Sequence, residues 1–242
     1  MFEKAPTLTP RASAGSSVGS SVGSSAGSSA GFTLIELLTV ISIIAVLAAL
    51  VAGMSSSAKS ARVNARAQAD LRKLQTAIEA YKADRNAFPP DGLVQSGSRR
   101  VNPAVNPLFY ELRGTELVNG GFRLKGGADS LRPDSIEQAF GRRGFLNSSA
   151  DASEPARSYL DVKASEVKRV TVKGVNVDLL VTAFDWPKGV TDPAPPLAGT
   201  PSNPWRYVSS SPTNNPGSYD LWLEMYDSKA EKSPKVRLFK NW

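Results

Sequence analysis

GFTLIELLTVISIIAVLAALVAGM, Gly31 to Met54, is the stretch on which the reading of this chain turns. From Leu37 to Met54 no residue carries a charge. A helix of that length rises ~27 Å at ~1.5 Å per residue, close to the thickness of a hydrocarbon core. Thr39 and Ser42 can return their hydroxyls to carbonyls one turn back, so they do not break the span. A secretory signal peptide is the rival reading. Its apolar core is shorter, follows a basic region closely and precedes a small-residue cleavage site. Here the run is long, and the nearest upstream basic residue is Arg11. Residues 32–54 are therefore expected to form one transmembrane helix.

The pattern changes at Ser55 without ending the helix. Asn64, Ala67, Leu71, Leu74, Ile78 and Tyr81 recur at helical spacing and make one semi-apolar stripe. Lys59, Arg62, Arg66, Asp70, Arg72, Lys73 and Glu79 lie largely off it. Gly53 and Ser55 to Ser57 mark a weak joint, and Pro89-Pro90 forbids helix beyond about Arg85. Residues 55–85 read as an amphipathic continuation of the helix, suited to packing on a globular domain. Residues 86–242 read as that domain. Asn106-Pro107 with LFYELR and Gly114 predicts a short helix, and Asp134 to Phe140 another. Val167 to Val177 and Leu179 to Trp186 read as strands, and Pro193 to Pro204 as loop. Trp205 to Ser209, Tyr219 to Tyr226 and Val236 to Trp242 read as three strands of an antiparallel sheet. Its apolar partner is expected to be the stripe from Leu71 to Tyr81. The fold class is α+β: a long N-terminal α-helix packed on a small C-terminal antiparallel sheet.

Residues 1–31 read as a leader. Its Gly-Ser-Ser-Val and Gly-Ser-Ser-Ala repeat, from Gly15 to Ala30, has nothing to bury. The repeat contains G-x-S-x-G matches such as Gly15-Ser16-Ser17-Val18-Gly19, but that motif needs a strand-turn-helix and a base. The 242-residue chain has no histidine and no cysteine, which removes Ser-His-Asp triads, cysteine nucleophiles, disulfides and most zinc sites. Its formal charge of +7 raises nucleic acid or anionic lipid as partners. The basic residues are scattered, without interleaved aromatics, so no nucleic-acid partner is expected. No nucleophile-base pair is evident, and the chain is not expected to be an enzyme.

Glu36 carries the functional signal. A carboxylate near the bilayer centre costs about 2.5–3.5 kcal/mol on insertion scales, and ionisable groups there usually have a partner. On one reading Glu36 lies at the membrane edge and snorkels. On the other, a positive partner is missing. A cut between Gly31 and Phe32 would give Phe32 a free α-amino group about one helical turn from Glu36. That amine could neutralise its own carboxylate or a neighbour's, and in the second case it would fix the axial register between subunits.

Gly31-Phe32-Thr33-Leu34-Ile35-Glu36 resembles the prepilin cleavage motif of type IV pilins and type II secretion pseudopilins. The resemblance implies that a membrane-embedded aspartyl peptidase, the prepilin peptidase, cuts between Gly31 and Phe32 and methylates the new amine of Phe32. It gives Glu36 a role in assembly. Leu71 to Leu93, with Phe88-Pro89 after the helix, is similar to the major (G-type) pseudopilin. Asn203-Pro204-Trp205-Arg206-Tyr207, Tyr219-Asp220-Leu221-Trp222 and Asn241-Trp242 also fit, whereas about 99–201 matches nothing recognisable. That subfamily carries calcium on an acidic loop before its last segment. Here the loop offers Asp227 and Glu231 beside Lys229 and Lys232, a poor set for an ion that wants six to eight oxygens. No calcium or other cofactor is expected. Lys59, Arg62 and Arg66 after the apolar run oppose the orientation the motif implies. The motif is given precedence.

Some other residues have plainer readings. Trp186, Trp205, Trp222 and Trp242 are expected to pack or edge the sheet. Asp220 and Glu224 are expected on a solvated face, too far apart for paired acid-base work. Asn147-Ser148-Ser149 matches a glycosylation acceptor by pattern alone, and Arg99-Arg100 and Arg142-Arg143 read as surface loop.

The resemblance implies a structural subunit of a type II secretion pseudopilus. Its partners would be further copies of itself as a homo-polymer, other pseudopilins, prepilin peptidase and the inner-membrane assembly platform. It would be a single-pass protein of the bacterial inner membrane with a periplasmic C-terminal domain, later assembled in a filament. Two other functions stay open. One is a pilin or minor pilin of a type IV pilus for adhesion, motility or DNA uptake. The other is a membrane-tethered ligand- or substrate-binding module, with 99–201 as the place to look.

Overall fold

The computed structural model describes residues 31–92, 102–150, 156–230 and 235–242, and for 51–57 the backbone alone. The leader with its Gly/Ser repeat, Arg99-Arg100 and Glu231 lie outside the described residues. The chain divides into two compact units, Met1–Met54 and Ser55–Trp242.

Helix α1 runs without interruption from Leu34–Arg85. It stops where Asn86 turns left-handed, with φ 54°, and donates its N–H to the Lys82 carbonyl at 2.8 Å. Pro89-Pro90 then bars any return to helix. In the first unit every described side chain of α1, Leu34 to Leu50, is exposed. Among the described residues no helix is long and apolar enough to cross a membrane. The transmembrane helix expected over 32–54 is therefore not shown as a span.

In the second unit α1 buries Ala67, Leu71, Leu74, Ala77, Ile78 and Tyr81, at helical spacing along one face. The short helix α2 (Leu108–Arg113) starts one residue later than its proline suggests, because Pro107 sits at the capping position. Asn106 holds this corner by donating its amide to the carbonyls of Pro103 and Trp205 at 2.8 and 2.9 Å. Helix α3 (Pro133–Phe140) takes Pro133 in its first turn and ends on Gly141 in the left-handed region.

Between and after these helices lies a sheet that the sequence reading left as loop. Its strands are β1 (Thr115–Val118), β2 (Gly121–Leu124), β3 (Ser130–Leu131) and β4 (Ser148–Ser149), in the order β3-β2-β1-β4. β1 and β4 run parallel, so this sheet is mixed. Strands β5 (Val167–Val172) and β6 (Val175–Leu180) form a separate hairpin. Its turn is Lys173-Gly174, with φ 48° and 84°. Both positive values fit the two-residue turn that matches strand twist. The expected break between Val177 and Leu179 is thus wrong, and the turn falls inside the first expected strand.

Strands β7 (Arg206–Val208), β8 (Asp220–Tyr226) and β9 (Val236–Lys240) form the expected antiparallel sheet, in that order. Leu221, Leu223 and Phe239 share its buried side, with Leu223 opposite Phe239. They join the α1 face, α2 and β6 in one hydrophobic core. Trp186 and Trp205 are buried, and Trp222 meets Trp242 edge-on at 5.8 Å.

A charged residue lies inside this core. Glu111 of α2 is fully buried. Its carboxylate accepts hydrogen bonds from the Tyr81 hydroxyl at 3.0 Å and from the N–H groups of Leu146 and Asn147 at 2.9 Å. Asn147 returns its side-chain amide to the Glu111 carbonyl at 2.8 Å and to the Arg157 carbonyl at 2.6 Å. The network ties α1, α2 and the start of β4 together. Asn147 is fully buried with its amide engaged, so the acceptor pattern there is structural.

Burial holds the Glu111 carboxyl above the usual carboxylate range, against the pull of the Leu146 and Asn147 N–H groups. The folded chain therefore binds that proton more tightly than the unfolded chain. The stability this group contributes is fullest below the ordinary value and is lost as pH rises through the raised one. Glu111→Gln cannot titrate, and its loss of an acceptor costs about 1–3 kcal/mol. Thermal-unfolding midpoints should show the wild-type advantage over Glu111→Gln narrowing as pH rises above about 4.5. A constant gap would contradict this account.

Candidate functional site

The head of α1 is built by Thr33. Its carbonyl accepts the first helical hydrogen bond, from the Leu37 N–H at 3.1 Å. Its hydroxyl oxygen lies 3.3 Å from the Glu36 N–H, which donates to it. The Glu36 carboxylate reaches back and accepts the Thr33 N–H at 2.9 Å and the Thr33 hydroxyl at 2.8 Å. These reciprocal bonds are a capping box, Thr-x-x-Glu, which satisfies two amide groups that a helix start leaves open. The carboxylate also lies where the helix dipole favours negative charge. The sequence reading missed this role, although the spacing from Thr33 to Glu36 states it. One turn on, Thr39 donates its hydroxyl to the Glu36 carbonyl at 2.8 Å, and Ser42 to that of Leu38 at 2.7 Å. This is the back-bonding that keeps hydroxyls harmless in an apolar helix.

Around this polar head the surface is apolar. Phe32 and Leu34 are each 80% exposed, and Ile35 is exposed beside them. A helix apolar on all sides needs cover from lipid or from other chains. Among the described residues no cation is paired with Glu36, whose oxygens are held by Thr33 alone. Gly31 precedes the helix in open space, where an added Cβ would meet no atom within 4 Å. The folded chain itself would accept a side chain there.

Residues 27–52 match the family model of the prokaryotic N-terminal methylation motif. This motif is the signature of type IV pilin-like proteins and pseudopilins. The chain matches it over 26 of its 242 residues. Its helix-then-sheet architecture agrees with the α+β pilin-like fold. The motif implies processing by prepilin peptidase and assembly into pilin-type filaments. Such filaments are built of structural subunits, not enzymes. No curated protein and no solved structure matches the chain.

The other predicted site is the loop after β8. Asp227 accepts the Lys229 N–H at 3.0 Å on one oxygen and the Arg237 guanidinium at 2.7 Å on the other. The Lys229 N–H, then Arg237, hold its carboxyl below the usual range. Arg237 also donates to the Asn64 side chain of α1 at 2.9 Å. Both carboxylate oxygens are thus engaged, one by a protein cation, and no group of three metal-binding side chains occurs among the described residues. This donor set does not fit calcium. Asp220 and Glu224 also depart from the solvated face expected for them. Asp220 is buried and accepts the N–H groups of Thr213, Asn214 and Asn215 at 2.8–2.9 Å. Glu224 is paired with the buried Arg206 at 2.9 Å.

Loss of the Thr33 cap costs about 1 kcal/mol. In Thr33→Ala the Glu36 amide should exchange with solvent roughly fivefold faster than in wild type, and Thr33→Ser should restore protection. Hydrogen-exchange mass spectrometry of the full chain in detergent reads this directly, and equal rates in all forms would remove the cap.

Proposed function

We propose that this chain is a pseudopilus subunit of type II protein secretion. In this reading prepilin peptidase cuts it between Gly31 and Phe32, and the new amine of Phe32 is methylated. The observation that carries the proposal is the Glu36 carboxylate, set among exposed apolar side chains and held, among the described residues, by Thr33 alone. Cleavage supplies the missing cation at the residue next to that cap. A cationic amine at Phe32 then offsets the cost of carrying Glu36 into an apolar environment. Once Thr33 orients the carboxylate, the pair can also form between neighbouring subunits and set their axial register.

The apolar sequence continues uncharged from Leu37 to Met54, which supports a membrane anchor for residues 32–54 before assembly. Moving that helix from lipid to a bundle exchanges one apolar surface for another. Packing and the amine-carboxylate pair must therefore favour assembly. Residues 55–85 and 86–242 would form the periplasmic part, with other pseudopilins and the inner-membrane assembly platform as partners.

The choice of pseudopilus over pilus rests on the segments that resemble the major pseudopilin, which pack on one another. Pro89 accepts the Tyr207 hydroxyl at 2.7 Å, and Phe88 meets the Tyr219 ring at 5.0 Å. Asn241 donates its amide to the Tyr219 carbonyl and accepts the Leu221 N–H, both at 2.9 Å.

Intact mass and N-terminal analysis of the membrane form should find Phe32 first, bearing one methyl group. A mature protein retaining residues 1–31 would sink the proposal. Glu36→Ala should be cleaved normally and yield at least ~10-fold less filament on shearing and quantification. Unchanged filament yield would remove Glu36 from assembly.

A further inference from the structure

Among the described residues, the β5–β6 hairpin leaves one side of β5 unpaired. Its register is fixed at both ends. The Val181 N–H donates to the Glu166 carbonyl at 2.9 Å, and Val172 faces Val175 across the two-residue turn. Hydrogen-bonded pairs alternate along an antiparallel ladder. Lys168, Val170 and Val172 therefore bond to β6, and the backbone groups of Val167, Arg169 and Thr171 point the other way. Outside that ladder no hydrogen bond among the described residues uses those backbone groups.

This edge borders a groove of about 440 Å³, walled by Arg169 to Val172 on one side and Leu197 to Thr200 on the other, with Val105. Val105, Val170 and Leu197, all largely buried, line the groove beside β5 backbone donors and acceptors that no described residue engages. That combination suits strand addition, in which backbone bonds supply affinity and alternate side chains supply selectivity.

The charges select the occupant. Arg169 is already held by Asp129 and Asp178. Lys168 and Lys173, at the two ends of the edge, are exposed, and neither forms an ion pair among the described residues. A second hairpin laid against this edge would bring its own Lys168 and turn Lys173 beside these, and like charges across strands repel. We infer that the β5 edge, Val167 to Val172, binds an extended acidic segment of another protein by adding it as a strand. This inference does not depend on the filament reading.

The test uses the full chain in detergent and fluorescence anisotropy with two labelled peptides of about six residues, the common strand length. One alternates glutamate with valine, the other lysine with valine. The glutamate peptide should bind saturably and the lysine peptide at least ~10-fold more weakly. Thr171→Pro removes an outward N–H without touching the β6 ladder, and should abolish binding with the circular dichroism spectrum unchanged. Should that variant unfold, the double variant Lys168→Glu, Lys173→Glu decides, and it should reverse the peptide preference. Absence of glutamate-peptide binding, or binding indifferent to both changes, overturns the inference. So does a smaller sedimenting species in Thr171→Pro with peptide binding intact, since the edge would then serve a second copy of this chain.

Discussion

The folded unit depends on one constraint: the Ala67–Tyr81 face of α1 must be covered. The β7-β8-β9 sheet, α2 and the β5–β6 hairpin share one core with that face. The β7-β8-β9 sheet brings Leu221, Leu223 and Phe239, α2 brings Leu108 and Leu112, and the hairpin brings Val177 and Leu179. Apolar burial has no direction, and alone it would allow these pieces to slide. Glu111 supplies direction, because a buried carboxylate must find its donors where the backbone presents them. Tyr81 on α1 and the adjacent Leu146 and Asn147 before β4 do so at fixed points on two other parts of the chain.

The other acid that matters sits at the opposite extreme of exposure. Glu36 combines two demands that conflict in an apolar setting. The helix start wants an acceptor for its open N–H groups, and the apolar surroundings resist an uncompensated charge. Thr33 meets the first demand within the chain. No cation among the described residues meets the second, and the proposed cut at Phe32 would supply one.

Much of this was legible in the sequence because periodicity is a strong signal over long elements. The α1 stripe extends through several turns, and the last three strands are aromatic-rich runs bounded by proline and glycine. Shorter signals were harder to weigh. Asn119-Gly120, with φ 51° and 73°, is a two-residue hairpin turn whose dipeptide is among the clearest turn signs, yet the strands beside it are four residues each. Lys173-Gly174 was hidden in a run of valines that reads as one strand. The burial of Glu111 left no local trace, since its partners lie 30 to 36 residues away. The Asp220 site also depended on the preceding loop folding back, although Thr213 to Asn215 were close in sequence. At the candidate site, Glu36 stood out by charge, which drew attention from the Thr33 spacing that determines what its oxygens do.

Arg237 has a consequence for how the folded unit is held together. It joins the loop after β8 to α1 through Asp227 and Asn64. A cation carried on a side chain is present at fixed stoichiometry from the moment the chain is made. It cannot be chelated, diluted or outcompeted by another ion, and it needs no dehydration step to enter its site. The tie is therefore indifferent to the divalent-ion content of the medium. What it gives up is adjustability: the environment can weaken this link by salt or acid, but cannot strengthen it by offering more of a ligand.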